Sequence, residues 1–243
     1  MIRLLSAELL KLRRSLAVLV ALAAPACVSA FAAAALFTRP GQVRWERFLD
    51  EGLAMWSFFM LPMSVTAITM LLAQLEHGPR MWTHLLSLPV RRGALFAGKA
   101  AIAFALLLVM QVLVFAGLYA AGLGVDAVLA GDKLTGDRQV DDLAVGLAAM
   151  AIGALPMLAV QLWVALASRS FVTPLVVGIL GTFFALVVTA AGVTLYIPWL
   201  LQIFATMWPK AKGVIGVTAG LIGGAMLLAA MVAHMSRREQ PAG

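Results

Sequence analysis

Long runs of apolar residues constrain this chain more than any other feature of its sequence. Each run holds about 20 residues or more, the length that a helix needs to cross a hydrocarbon core of roughly 30 Å. The chain is 63% hydrophobic and 12% charged, whereas soluble proteins average about half and a quarter. The sequence therefore predicts an all-α integral membrane protein.

Six transmembrane helices are predicted, and residues 1–243 are expected to form a single transmembrane domain. The predicted spans are Leu16 to Phe37, Leu53 to Leu75, Ala100 to Leu123, Leu143 to Ala167, Phe171 to Leu195 and Gly213 to Met235. An even number of spans places both termini on the same side of the membrane.

The distribution of basic residues predicts which side that is. Segments on the side of the termini hold eleven Lys and Arg against three acids, and the opposite segments hold seven against eight. Since Lys and Arg are enriched in cytoplasmic loops, both termini are predicted to be cytoplasmic. The net charge of +7 reflects this topology. It does not indicate a nucleic-acid-binding surface, because the basic residues sit at the ends of the apolar runs.

The residues before the first span have an amphipathic pattern. Ile2, Leu5, Leu9 and Leu12 recur at steps of three and four, the spacing of one helical face. Residues 1–15 are therefore predicted to form a helix in the membrane interface, and a charged flank that only sets orientation stays open as the alternative. The apolar run that follows is longer than the core of a signal peptide, about 7 to 15 residues, so cleavage is not expected.

The connection between the second and third spans, residues 76–99, carries four basic residues against one acid. Pro79 and Pro89 bound a short piece of it, because proline is tolerated at a helix start but not inside a helix. The larger apolar residues of this piece fall on one helical face: Met81, Leu85 and Leu88, with Trp82 beside them. A helix over residues 79–89 is therefore predicted. It is too short to be stable alone, so it must pack on the headgroup layer or in a groove of a soluble partner.

Two connections on the opposite side differ in character. Residues 124–142 are polar and acidic and are predicted to form a solvated external loop, because their aspartates lack the spacing of a calcium-binding loop. Residues 196–212 hold aromatic residues, two prolines and an apolar centre. That centre is too short to cross a bilayer. It predicts either an external re-entrant element or an aromatic belt at a helix end.

The sequence carries no motif for enzymatic chemistry. It has no Gly-rich phosphate-binding loop, and its histidines lack the partners of a metal site or a catalytic triad. The single cysteine, Cys27, excludes an internal disulfide. We therefore expect the chain not to be an enzyme and to need no metal or cofactor.

Uncharged polar residues occur inside the predicted spans. No charged residue lies deep inside a predicted span. This absence argues against a pump with a carboxylate relay, because such a relay needs carboxylates within the membrane, where each charge costs about 2.5 to 3.5 kcal/mol at the bilayer centre. In the second and fifth spans, the candidates for contact with a substrate are Ser64, Thr66, Thr69, Gln74, Thr182 and Thr189. The alternative is that these residues, like Gln111 and Gln161, form hydrogen bonds between helices.

A stripe of glycines, Gly216, Gly220 and Gly224, repeats every four residues in the sixth span. Small residues at this spacing allow the backbone of another helix to approach closely. The stripe therefore predicts helix packing, either within this chain or with a second copy.

Two segments resemble the permease subunits of ABC-2 type exporters. The first is residues 4–14, which end in Glu8-Leu-Leu-Lys-Leu-Arg-Arg. The second is residues 76–99, where an acidic residue precedes Trp82-x-x-Leu-Leu-Ser-Leu-Pro-Val-Arg-Arg and then Lys99. The small permeases of lantibiotic-immunity and bacitracin-resistance systems are particularly similar, and the topology agrees over the whole chain. The resemblance implies the fold of a type V ABC exporter and a place in a bacterial inner membrane.

The resemblance also implies partners and roles. Two permeases, identical or related, would form a dimer with two cytoplasmic ATPase subunits that are separate chains. The helix over residues 79–89 would be the coupling helix, and the implied coupling residues are Glu76, Arg80, Met81, Trp82, Leu85, Leu88 and Arg91. Each permease would form half of a translocation path for an amphiphilic substrate such as a peptide antibiotic, a lipid or a drug. The polar residues of the second and fifth spans would line this path. A non-transporting membrane scaffold or sensor subunit is the alternative.

Overall fold

A computed structural model describes most of the chain, namely residues 15–77, 92–129, 131, 133–168, 170–192 and 196–237. Two predicted elements, the interfacial helix before the first span and the helix over residues 79–89, lie outside the described residues.

The regular secondary structure of the described chain is helical, apart from two very short strands. The elements follow in this order: α1 (Leu16–Thr38), β1 (Val43–Arg44), α2 (Trp45–Met55), a π-helix (Trp56–Met60), α3 (Leu61–His77), α4 (Arg92–Val128), β2 (Leu134–Thr135), α5 (Val140–Gly153), α6 (Leu155–Ala167), α7 (Val172–Ala190), α8 (Pro198–Ala205) and α9 (Ala211–Arg237).

Five helical stretches of the described chain are long and apolar enough to cross a membrane. They are α1, the continuous stretch from α2 through the π-helix into α3, then α4, α7 and α9. The pair α5 and α6, bent by 41° at a short break, makes a sixth when it is counted as one span. The predicted all-α membrane architecture is therefore confirmed, with five or six candidate spans in the described chain.

The second span begins earlier than predicted, at Trp45 and not at Leu53. Its first part, α2, buries Trp45, Phe48 and Leu49 while its charged residues stay exposed. A search for apolar runs ends where charges appear, although an amphipathic helix continues through them.

The fourth span, predicted from Leu143 to Ala167, consists of two helices, α5 and α6. It breaks at Ala154, between α5 and α6. Pro156, in the first turn of α6, has no backbone N–H and cannot continue a straight helix. The pair α5 and α6 therefore covers the predicted span with a bend at this proline. The fifth span, helix α7, ends at Ala190 and not at the predicted Leu195. Gly192, two residues later, has a positive φ of 69°, a conformation that is common just after the end of a helix.

The helices form a bundle with two ends. The terminal end holds residues 15–16, 74–77, 92–93, 167–168, 170–172 and 236–237, and the loop end holds residues 38–45, 128–129, 131, 133–140, 190–192, 196–198 and 206–211. The strands β1 and β2 pair in parallel at the loop end, with Val43 opposite Leu134. At the terminal end a Cβ atom on Gly93 would lie 3.3 Å from the Ser236 hydroxyl.

The acidic connection at the loop end is not simply a solvated loop. The Asp126 carboxylate accepts hydrogen bonds from the backbone N–H groups of Lys133 and Leu134, each at 2.9 Å. The Lys133 ammonium donates to the carbonyls of Arg39 and Gly41, and Lys133 is only 8% exposed. This connection therefore packs on the first loop. The prediction from its acidic composition missed this, because composition does not reveal which carboxylate binds backbone N–H groups.

Candidate functional site

The π-helix Trp56–Met60 lies in the second span, between α2 and α3. Such single π-helical turns occur frequently at functional sites. Trp56 is fully buried, and its indole N–H donates to Gln111 Oε1 of α4 at 2.6 Å. Gln111 Nε2 donates in turn to the carbonyl of Leu147 at 3.1 Å. One glutamine therefore connects the second span, α4 and α5.

A second buried glutamine, Gln202 of α8, also bonds to the π-helix. Its Nε2 donates to the carbonyl of Ser57 at 2.9 Å. A π-helical turn interrupts the regular ladder of backbone hydrogen bonds, so a side chain can reach a carbonyl there. The short helix α8 is therefore attached directly to the second span.

A third buried glutamine, Gln161 of α6, bonds to α3 and α7. Its amide fits its partners with the oxygen 3.0 Å from Thr66 Oγ1 and 2.9 Å from the Gly178 nitrogen, and with its nitrogen 3.3 Å from the Pro174 carbonyl. Gly178 leaves the space for this contact, since a Cβ atom there would lie 2.6 Å from the Gln161 amide.

We call Gln111, Gln161 and Gln202 the glutamine links, because each joins the second span to a different neighbouring helix. The sequence predicts hydrogen bonds between helices as a role for Gln111 and Gln161. Sequence reasoning missed Gln202. The available signal was a lone amide within the otherwise apolar stretch from Trp199 to Ala205.

The six candidates for substrate contact have different environments. Ser64, Thr66, Thr69 and Thr182 are at most 3% exposed, and their hydroxyl groups lie within hydrogen-bonding distance of the carbonyl four residues earlier. Gln74 and Thr189 are exposed. Thr66 and Thr182 both lie next to Gly178, because Thr182 donates to the Gly178 carbonyl at 2.7 Å and Thr66 touches the space beside Gly178.

The glycine stripe of α9 packs against other helices of the same chain. A Cβ atom on Gly216 would lie 2.5 Å from the backbone nitrogen of Ala205 in α8, and one on Gly220 would lie 2.7 Å from both Gly153 Cα and the Ile152 carbonyl. The third glycine, Gly224, faces Leu155 at the start of α6. We call these three residues of α9 the glycine face. Its partners include the bend between α5 and α6.

The helix α8 is enclosed by other elements. All its residues from Trp199 to Ala205 are buried, and it contacts α5, α6, α7, α9 and the π-helix. Gly181 of α7 makes room for the Trp199 indole, since a Cβ atom there would lie 2.6 Å from Trp199 Cδ2. Tyr196 and Trp208 on either side are 60% and 42% exposed. A buried short helix agrees with a re-entrant element, whereas these two flanking aromatics agree with a belt.

Most of the implied coupling residues lie outside the residues that the structure describes. Glu76 falls in the last turn of α3. The remaining residues lie outside the described part of the chain: Arg80, Met81, Trp82, Leu85, Leu88 and Arg91. Lys99, which follows the segment, lies in α4 and is only 4% exposed.

The described residues contain no group of three or more His, Cys, Asp or Glu side chains that could hold a metal ion. His234 near the terminal end has a structural contact, because its Nδ1 accepts a hydrogen bond from the Trp163 indole at 3.0 Å. The rings of these two residues also stack at a tilt, with centroids 5.5 Å apart.

Comparison with known proteins identifies the family. A family model described as ABC-2 family transporter protein matches residues 4–185 of the 243. The comparisons with curated proteins and with solved structures gave no match. The match covers more than half of the chain, including the first four spans and most of α7. This chain, with its bundle of apolar spanning helices, therefore belongs to the ABC-2 family of transporter membrane proteins.

Proposed function

We propose that the chain is the permease subunit of an ATP-driven exporter and forms half of the translocation path for an amphiphilic substrate. The family match over residues 4–185 carries this proposal. ATP hydrolysis would come from a separate ATPase, because the sequence has no phosphate-binding loop. A second permease subunit, identical or related, would complete the path.

The polar groups of the second and fifth spans support an uncharged or amphiphilic substrate. Thr66 and Thr182 both lie next to Gly178, where the polar side chains are hydroxyls and the Gln161 amide. Neutral hydrogen-bonding groups cost less in a membrane than charges. Separation of α3 from α7 would expose these groups, and we propose that they then line the path together with Ser64, Thr69, Gln74 and Thr189.

The arrangement of charge supports an orientation with the terminal end in the cytoplasm of a bacterial cell. Basic residues outnumber acids eleven to three in the segments of that end. The proposed coupling helix over residues 79–89 would then face the cytoplasm and contact the ATPase. Movement of the ATPase would pass through it to the second span, as a rigid-body shift between inward-facing and outward-facing states.

The test replaces three of the implied coupling residues: Arg80→Ala, Trp82→Ala and Leu85→Ala. The chain is co-purified with the ABC ATPase encoded beside it, and association and ATPase rate are measured. We expect the triple variant to lose at least tenfold in association, because interface energy concentrates in a few Trp, Arg and apolar anchors.

The matched control is Thr83→Ala with Ser87→Ala, two residues that lie away from the face formed by Met81, Leu85 and Leu88 in the same predicted helix. These changes should leave association within about twofold, because exposed substitutions usually cost less than about 0.5 kcal/mol. Undiminished association and ATPase activity in the triple variant would refute the coupling assignment.

A further inference from the structure

Two buried polar atoms of α8 have no hydrogen-bond partner in the described structure: the indole nitrogen of Trp199 and the amide oxygen Oε1 of Gln202. Trp199 is 8% exposed and Gln202 is 0% exposed. Burying such an atom without a partner is destabilising, and folded proteins contain only a few. Two of them on one short helix therefore require an explanation.

The two side chains lie on the same side of α8. They are three residues apart, and such residues are neighbours on a helix, with Cβ atoms about 5 to 6 Å apart. The orientation of the Gln202 amide is fixed, because exchanging its oxygen and nitrogen would turn an oxygen towards the Ser57 carbonyl. The Trp199 ring is fixed by its contact with Gly181 of α7.

Trp199 and Gln202 lie where α8 contacts two spans of the bundle. Gln202 touches the π-helix of the second span and Trp199 touches α7, so the pair lies between the second and fifth spans. A π-helix already marks this position as unusual in backbone structure.

The chemistry of the pair selects a ligand class. Trp199 offers one donor and Gln202 Oε1 offers an acceptor, so a single group that serves both atoms accepts one hydrogen bond and donates another. A carboxylate cannot donate, and an ammonium group cannot accept. We propose that Trp199 and Gln202 form a binding site for a hydroxyl group, supplied either by a water molecule or by the headgroup of a hydroxylated amphiphile. The amphiphile source rests on the proposed export function, whereas the water source does not.

The experiment uses the full-length chain in lipid nanodiscs with ¹⁵N-labelled tryptophan. The indole resonance of Trp199 is assigned with Trp199→Phe, or by elimination with Phe variants of the other five tryptophans if that variant does not fold. We expect this resonance to show magnetisation transfer from bound water, or from the hydroxyl groups of an added probe, monododecanoylglycerol. Where the probe displaces the water, transfer from water is seen before the addition and transfer from the probe after it.

The probes distinguish the two sources. Transfer from water with no change on adding monododecanoylglycerol identifies water. Loss of the water signal together with a shift of the Trp199 resonance identifies the hydroxylated amphiphile. Methyl dodecanoate has no hydroxyl group and should cause no shift. The Trp163 indole, which bonds to His234, serves as the internal control and should respond to neither probe.

The second variant is Gln202→Leu, which keeps Trp199 but removes the acceptor. The Trp199 resonance should move upfield and lose its transfer signal, because the hydroxyl group loses one of its two partners. A Trp199 resonance with no transfer from water or probe, or an equal shift with methyl dodecanoate, would overturn the site. Neither readout depends on ATPase or transport activity, so the result is separable from failure of the export proposal.

Discussion

The glycine face of α9 and the glutamine links of the second span hold helices together in different ways. At the glycine face the backbones of two helices touch, with 2.7 Å between an added Cβ atom on Gly220 and Gly153 Cα. At the glutamine links, one amide at a time bridges helices through bonds of 2.6 to 3.3 Å. The first contact depends on shape along a whole helix, and the second depends on individual hydrogen bonds.

This difference separates a rigid part of the molecule from a part that can rearrange. Closely packed backbones cannot slide without losing many contacts at once. Interhelical hydrogen bonds in membranes average only about 0.6 kcal/mol, with a maximum near 1.7. We therefore expect α5, α6, α8 and α9 to stay together in any rearrangement, while the second span can exchange its partners.

The largest expected effect comes from adding one methyl group to the glycine face. Gly220→Ala should lower the free energy of unfolding by about 1 to 3 kcal/mol, because the new Cβ atom meets backbone that cannot move aside. The measurement is thermal unfolding of the purified protein in detergent.

Gly223→Ala is the matched control on the same helix. A Cβ atom there would lie 3.7 Å from Pro156 Cγ, an ordinary contact. Alanine favours the helix over glycine by up to about 1 kcal/mol, so this variant should be neutral or more stable. Equal effects of the two substitutions would contradict the close packing at Gly220.

The sequence predicted the glycine face and the six spans because both depend on local patterns. Apolar runs of sufficient length are visible without knowledge of packing, and Gly216, Gly220 and Gly224 recur at one helical spacing. The bend of the fourth span also has a local signal, because Pro156 lies within the apolar run.

The remaining features depend on contacts between distant residues. Lys133 bonds to carbonyls more than 90 positions away, and Gln202 reaches Ser57 across 145 positions. The π-helix has no motif in Trp56–Met60, because its extra residue is stabilised by partners on α4 and α8. No periodicity in one sequence reports such pairings.

An intermediate value is expected for the coupling energy of the link between Gln111 and Trp56. Gln111→Leu leaves the buried Trp56 indole N–H without its acceptor, which costs about 1 to 3 kcal/mol. Combining it with Trp56→Phe removes the orphaned donor as well. A double-mutant cycle by thermal unfolding should therefore give a coupling energy of roughly 0.6 to 1.7 kcal/mol. Strict additivity would show that this bond does not stabilise the bundle.

The smallest expected effect distinguishes two threonines one helical turn apart. Thr66 and Thr69 of α3 are both buried, but Thr66 contacts Gln161 of α6, whereas the Thr69 hydroxyl bonds to carbonyls of its own helix. Thr66→Val should cost about 0.6 kcal/mol and Thr69→Val close to zero, because only the first removes an interhelical bond. Thermal unfolding measures this difference, and a cost at Thr69 as large as at Thr66 would contradict it.

Transport assays on the same two variants separate an effect on stability from an effect on substrate contact. If both threonines line the path when α3 and α7 separate, Thr69→Val should slow export although it leaves stability unchanged.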